Sequence, residues 1–289
     1  MFRRSFLAAA LAASLALPAF ATEVAPLPDP SRLAVVGGSL LEIVFALGEG
    51  GKVIARDTTG IYPPEAATLP DVGYMRALSP EGVLSVNPSA LLLIEGAGPA
   101  EALEVLTKAA IPQVTVPESY SHAGILQKIA TVGAALGVPD KAVALAAEVD
   151  RQMQVAEAIT SAIPDAERKR VLFIISMADG KVRAAGSGTA ADSVISLSGG
   201  INPLGGTQGY QTLSDEAILA AKPDAILMMS NGGEGDFSAQ FAQNPALAAT
   251  PAITAGKVIK LDGAYLLGFG PRTPDAIADV ARALYGEAN

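Results

Sequence analysis

Apolar residues along the chain fall in short solid runs, and amphipathic stretches separate them. "RLAVVGG" (32–38) is a solid run ending in a glycine turn and predicts a buried strand. "SLLEIVFALG" (39–48) follows as a helix opened by Ser39 and stopped by Gly48. "KVIA" (52–55) predicts a second short strand. "SPEGVLSV" (79–86) begins with Ser, Pro and Glu, the residues of a first helical turn. "ALLLIE" (90–95) has the unbroken apolar run of a parallel strand covered on both faces. "PAEALEVLTKAA" (99–110), "VTV" (114–116) and "SHAGILQKIATVGAALG" (121–137) continue as helix, strand and helix. Strands alternating with helices predict parallel α/β layers.

The alternation stops at Pro139. From there to Pro164 the chain has no Gly or Pro and favours helix throughout, enough for a helix of roughly 36 Å. It then resumes with "RVLFIIS" (170–176), "TAADSVISLSGG" (189–200), "SDEAILAA" (214–221), "AILMMS" (225–230), "KVIKLD" (257–262) and a closing helix "TPDAIADVARALYG" (273–286). The expected architecture is two Rossmann-like α/β lobes, 32–137 and 168–289, joined by a single long helix over 139–163. An internal repeat supports it: "LSPEGVLSVNPSALLLIE" (78–95) aligns without gaps to "LSDEAILAAKPDAILMMS" (213–230), with 7 of 18 positions identical. Ligands of open α/β sheets bind at the carboxyl ends of the strands, which puts the expected site in the cleft between the lobes. The turns holding Tyr74 and Tyr210 would both face it.

Residues 1–21 stand apart. Arg3 and Arg4 precede an apolar run from Phe6 to Leu17, and Ala19 and Ala21 give a small-x-small end. This is a secretory signal pattern, too short for a membrane span, with cleavage expected after Ala21. Losing it moves the formal charge from −9 to −11. Such an acidic exported chain is not expected to bind nucleic acid or anionic membranes. Without cysteine it has neither disulfides nor a lipid attachment site. The expected location is a Gram-negative periplasm, where the chain would act as a free monomer.

Candidate chemistry is sparse. The one histidine, His122, cannot supply a transition-metal site with no cysteine beside it, and reads as a helix-start surface residue. No G-x-S-x-G elbow is present, and no pair of acid and base groups marks an enzyme. "AAGSGTAAD" (184–192) lacks the lysine of a phosphate-binding loop and reads as a tight strand-to-helix turn. Tyr74 and Arg76 remain, two apart in a glycine-flanked turn. A guanidinium near a phenol favours the phenolate, a hard anionic donor suited to ferric iron and known as an axial ligand of haem. Arg76 can lean toward the Tyr74 oxygen or toward an anionic group of a ligand, and a turn in which Tyr74 merely packs on a helix fits the residues as well.

Three stretches, "VVGGSLLEIVFALGEG", "DTTGIYPPEAATLPDVGYMRALSPEGVLSVNPSALLL" and "LLLGFGPRTPDAI", resemble the periplasmic haem-binding proteins of bacterial ABC haem importers. The resemblance implies a carrier, not an enzyme, that captures haem between two lobes and delivers it to a membrane permease–ATPase complex. It implies Tyr74 as the axial ligand of haem iron and Arg76 as the support of its phenolate. The C-terminal stretches 175–182 and 228–235 contain no Arg or His, so Tyr210, Met177 or Asn231 would meet the opposite face of the haem or its propionates, with five-coordinate iron held by Tyr74 alone as the simpler expectation. Glu101 and Glu234, at matching places in the two lobes, would dock on the permease. A corrinoid or ferric-siderophore carrier of the same fold, and a two-lobed periplasmic enzyme, are the alternatives.

Overall fold

The computed structural model describes residues 24–230 and 238–286. The expected signal segment 1–21 lies outside them. In the N-terminal lobe, β1 (Leu33–Val36), β2 (Val53–Arg56), β3 (Ala90–Ile94) and β4 (Gln113–Val116) form an all-parallel sheet in the order β2-β1-β3-β4. Every residue of β1 and β3 is buried, as their apolar runs require. Helices α1 (Gly38–Ala46), α2 (Pro80–Ser85), α3 (Ala100–Lys108) and α4 (His122–Ala135) connect and cover these strands. Gly37 turns the chain from β1 into α1 at φ 122°, and a Cβ there would meet Ile94 Cβ at 2.8 Å, so only glycine fits.

Helix α5 (Pro139–Ser161) runs 23 residues, about 34 Å, and packs against α4. The C-terminal lobe follows. Its strands are β5 (Val171–Ala178), β6 (Lys181–Ala185), β7 (Tyr210–Leu213), β8 (Ala225–Ser230) and β9 (Val258–Asp262), ordered β7-β6-β5-β8-β9. Its helices are α6 (Ala190–Leu197), α7 (Asp215–Ala221), the short α8 (Ser238–Ala242), α9 (Pro245–Ala248), α10 (Pro251–Thr254) and α11 (Gly263–Leu267), and the closing α12 (Thr273–Tyr285), which packs back on α5. The fold is two α/β lobes joined by one long helix.

The second sheet is mixed, which the strand–helix alternation did not predict. β5, β8 and β9 are parallel, but β6 pairs antiparallel with both of its neighbours, β5 and β7. The chain reverses at Asp179-Gly180, both with positive φ (51° and 71°), the Asp-Gly signature of a tight hairpin. Tyr210 therefore opens a strand rather than sitting in a turn.

The repeat is visible in three dimensions. Ser79 accepts from Gly82 N at the start of α2, and Ser214 accepts from Ala217 N at the start of α7. Asn87 and Lys222, at equivalent positions before a proline, both adopt left-handed backbone (φ 49° and 41°) and then feed β3 and β8. One apolar core runs through both lobes. It joins Leu92 and Ile94 to Met153 and Ala156 of α5, and these to Phe173, Leu227 and Phe269.

The lobes are also pinned together by charge. The Lys128 side chain of α4 is fully buried; it pairs with Glu118 at 2.7 Å and donates to Ser39 Oγ at 3.2 Å and to the Phe269 carbonyl at 3.0 Å. Burial pushes the Lys128 amine down, and the Glu118 carboxylate partly offsets that. Arg272 forms a two-pronged ion pair with Glu42 of α1, while its guanidinium stacks 3.7 Å from the Tyr62 ring centroid. His122 belongs to this framework more than to the surface: its ring nitrogens lie 2.9 Å from Asp150 and 3.2 Å from Glu157 of α5.

Candidate functional site

The loops at the carboxyl ends of β2, β3 and β4 meet around Tyr74. Its turn closes with Ala77 N donating to Tyr74 O. The turn is stitched to the loop after β2 by Thr58 N to Gly73 O (3.0 Å), and to the loop after β3 by Gly98 N to Met75 O (2.8 Å). Gly73, at φ 99°, makes the bend. The backbone is thus held on two sides while the Tyr74 side stays open: the residue is 47 % exposed, large for an aromatic on so fixed a turn.

Arg76 is exposed, and its charge acts on the phenols of Tyr120, in the loop after β4, and of Tyr210 in the other lobe. Tyr120 is half-buried, with its ring 5.3 Å from that of Phe269 and tilted by 58°. Burial pushes the phenols of Tyr120 and Tyr210 up, above the usual tyrosine range, so both are neutral donors at ordinary pH. Two arginines approach these phenols from opposite lobes. Arg183 on β6 is exposed and stands 5.9 Å from the Tyr210 ring centroid, because Arg183 and Tyr210 are diagonal neighbours on one face of the β6–β7 ladder.

Of the expected site residues, Tyr74 and Arg76 stand exposed on one turn, and the Arg76 charge acts on Tyr210 of the other lobe. Met177 goes elsewhere. A bulge between Ile174 and Ser176 reverses the facing of β5, and Met177 packs with the apolar cluster of Ile174, Val182 and Met228 instead of the one that holds Tyr210. Glu101 is exposed in the first turn of α3, on the rim next to the Gly98 loop. Asn231 and Glu234 lie outside the described residues. The segment 184–192 is a strand-to-helix turn whose donors are used internally: Gly188 N reaches Asp192 Oδ2, and Thr189 caps α6. Tyr120 and Arg183 were not picked out from sequence. Arg183 stands one residue past the stretch 175–182, which has no Arg or His, and the Asp179-Gly180 hairpin signal points to it.

Among the described residues no three His, Cys, Asp or Glu side chains come together as a bare-metal site, and no helix is long and apolar enough to cross a membrane. Comparison with solved structures finds the periplasmic heme-binding protein RhuT from Roseiflexus sp. RS-1 at 37 % identity and TM-score 0.83, covering 88 % of this chain and 98 % of that one. A periplasmic heme-binding protein from Pseudomonas aeruginosa matches at 33 % identity and TM-score 0.82, over 90 % and 94 % of the two chains. Among curated sequences, the vitamin B12-binding protein of Vibrio parahaemolyticus is 23 % identical over 92 % of this chain and 94 % of its own. Residues 33–265 match the family model described as periplasmic binding protein, and with most of both lobes and all of α5 inside that match, the chain belongs to the periplasmic binding protein family.

Proposed function

We propose that this protein carries haem in the periplasm, binding it between the lobes and handing it to the permease of an ABC importer without altering it chemically. One observation carries the reading: an exposed phenol, Tyr74, stands on a doubly anchored turn that also carries the exposed Arg76. A single anionic oxygen is enough for ferric iron already held by four porphyrin nitrogens, whereas a bare ion would need several protein ligands. Arg76 and Arg183, from opposite lobes, suit the two propionates of haem. A corrinoid, whose rim carries neutral amides, has less use for them. Titration of the purified protein with haemin and with cyanocobalamin tests the reading. Haemin is expected to bind with tyrosinate-to-iron charge-transfer absorption and cyanocobalamin not to bind; the reverse result would favour the corrinoid carrier.

Arg183→Ala is expected to weaken haemin binding severalfold to about tenfold, as for loss of one exposed charge-assisted contact. The loss should shrink at high salt and vanish for haemin dimethyl ester, which has no free carboxylates. An equal loss for the ester would remove Arg183 from propionate recognition.

Docking on the permease is assigned to two acidic residues, Glu101, exposed at the start of α3, and Glu234, its counterpart by the internal repeat. A rim charge mainly sets encounter rate. Glu101→Ala should leave haem affinity unchanged and slow delivery to a reconstituted transporter at low salt. Unchanged delivery would rule Glu101 out.

A further inference from the structure

The segment "DTTG" (57–60) lies next to the Tyr74 turn, with Thr58 N donating to Gly73 O. Its first residue, Asp57, follows β2 and is fully buried. Oδ1 accepts from Gly37 N at 2.9 Å and from Thr59 Oγ1 at 2.9 Å. Oδ2 accepts from Thr59 N at 3.1 Å, Thr59 Oγ1 at 2.9 Å and Met75 N at 3.3 Å. Thr59 Oγ1 in turn accepts from Gly38 N at 2.8 Å. One carboxylate therefore gathers the β1–α1 turn, its own loop and the peptide immediately after Tyr74. No cation pairs with Asp57 among the ion pairs of the described residues; its charge is met by N–H and O–H groups alone.

We infer that Asp57 is the positioning residue for the Tyr74 phenol, fixing the peptide that follows Tyr74 against the carboxyl edge of the sheet. The inference rests on the reading of Tyr74 as the iron ligand. The two oxygens serve donors on both sides, and a carboxylate is the side chain that offers acceptors in both directions with no hydrogen of its own. An asparagine has one acceptor oxygen, so its NH2 must face either Gly37 N or the Thr59 and Met75 amides. Either orientation breaks the bridge between the β1–α1 turn and the Tyr74 turn: Met75 N loses its acceptor, or that acceptor loses its anchor at Gly37, and a ligand held by a loosened turn is lost faster.

The test is Asp57→Asn, with Thr59→Val as a second variant that keeps the charge but removes the hydroxyl from both oxygens. In protein without haem, Met75 amide exchange followed by NMR is expected to accelerate at least about tenfold in Asp57→Asn. With haem, dissociation to an excess of an apo-globin acceptor should quicken by about 10–100-fold, and the tyrosinate–iron band should shift. Thr59→Val should show smaller changes of the same sign, and it carries the same measurements if Asp57→Asn does not fold. Normal Met75 exchange in the variants, or faster exchange with haem release and spectrum unchanged, would overturn the inference. Failure of the wild type to bind haem would overturn the haem reading instead, and the exchange data would still decide whether Asp57 holds the turn.

Discussion

Tyr74→Phe should reduce haemin affinity by at least about a hundredfold and abolish the tyrosinate-to-iron absorption, while the protein keeps its melting temperature. The size follows from what is removed. Loss of groups that merely orient a metal ligand commonly costs 10–100-fold, and here the donor atom itself goes. Stability should be preserved because the side chain is half in solvent, and its turn is held by backbone contacts at Thr58 and Gly98 that phenylalanine leaves intact. The neutral phenols of Tyr120 and Tyr210 are poor substitutes, since burial opposes their ionisation. Tyr120→Phe and Tyr210→Phe should therefore retain the band that Tyr74→Phe loses. A Tyr74→Phe protein with the wild-type spectrum would move the ligand elsewhere, and the band's loss in Tyr210→Phe would identify where.

The sequence-level reading reached the two lobes because each lobe repeats one self-sufficient local unit. Ser79 and Ser214 cap their own helices, Asn87 and Lys222 end them, and a proline starts the next strand. All of that chemistry acts within a few residues. The reading stopped where the deciding contact was distant. Lys128 sits in "ILQKIA" like any helix lysine, and only the arrival of Phe269, 141 residues on, encloses it. Arg272 finds Glu42 across 230 residues. Tyr120 gained meaning only once the fold set its ring against that of Phe269. β6 was missed for a local reason: "KVRAA" has one β-branched residue, so little strand propensity marks it, and the Asp-Gly turn before it was the only signal. The spacing of Tyr74 and Arg76 was legible, but the reach of the Arg76 charge to Tyr120 and Tyr210 was not.

The contacts invisible in sequence include the one expected to matter most for stability. Lys128→Met should destabilise the protein by about 3–5 kcal/mol, the usual cost of breaking a buried ion pair from one side. For a chain of this size that is a fall in melting temperature of roughly 6–15 °C. The substitution strands Glu118 and leaves the Phe269 carbonyl without its donor, at a segment that must keep its shape. Phe269 has left-handed backbone (φ 48°), and a Cβ on Gly270 would come within 3.4 Å of Ser39 Cβ, so the chain passes tightly against α1. Lys128→Met/Glu118→Gln removes both charges and should recover part of the loss. The alkaline pH dependence gives an independent check. The Lys128 amine titrates lower in the fold than in the unfolded chain, so between its lowered folded value and 10.5 the unfolded state binds the extra proton. Stability should therefore rise with pH in that window, and this rise should be missing from Lys128→Met. A variant that melts with the wild type and keeps its alkaline slope would mean that the apolar core, from Leu92 through Met153 to Phe269, and the Arg272–Glu42 pair join the lobes, and that the buried lysine contributes nothing to holding them.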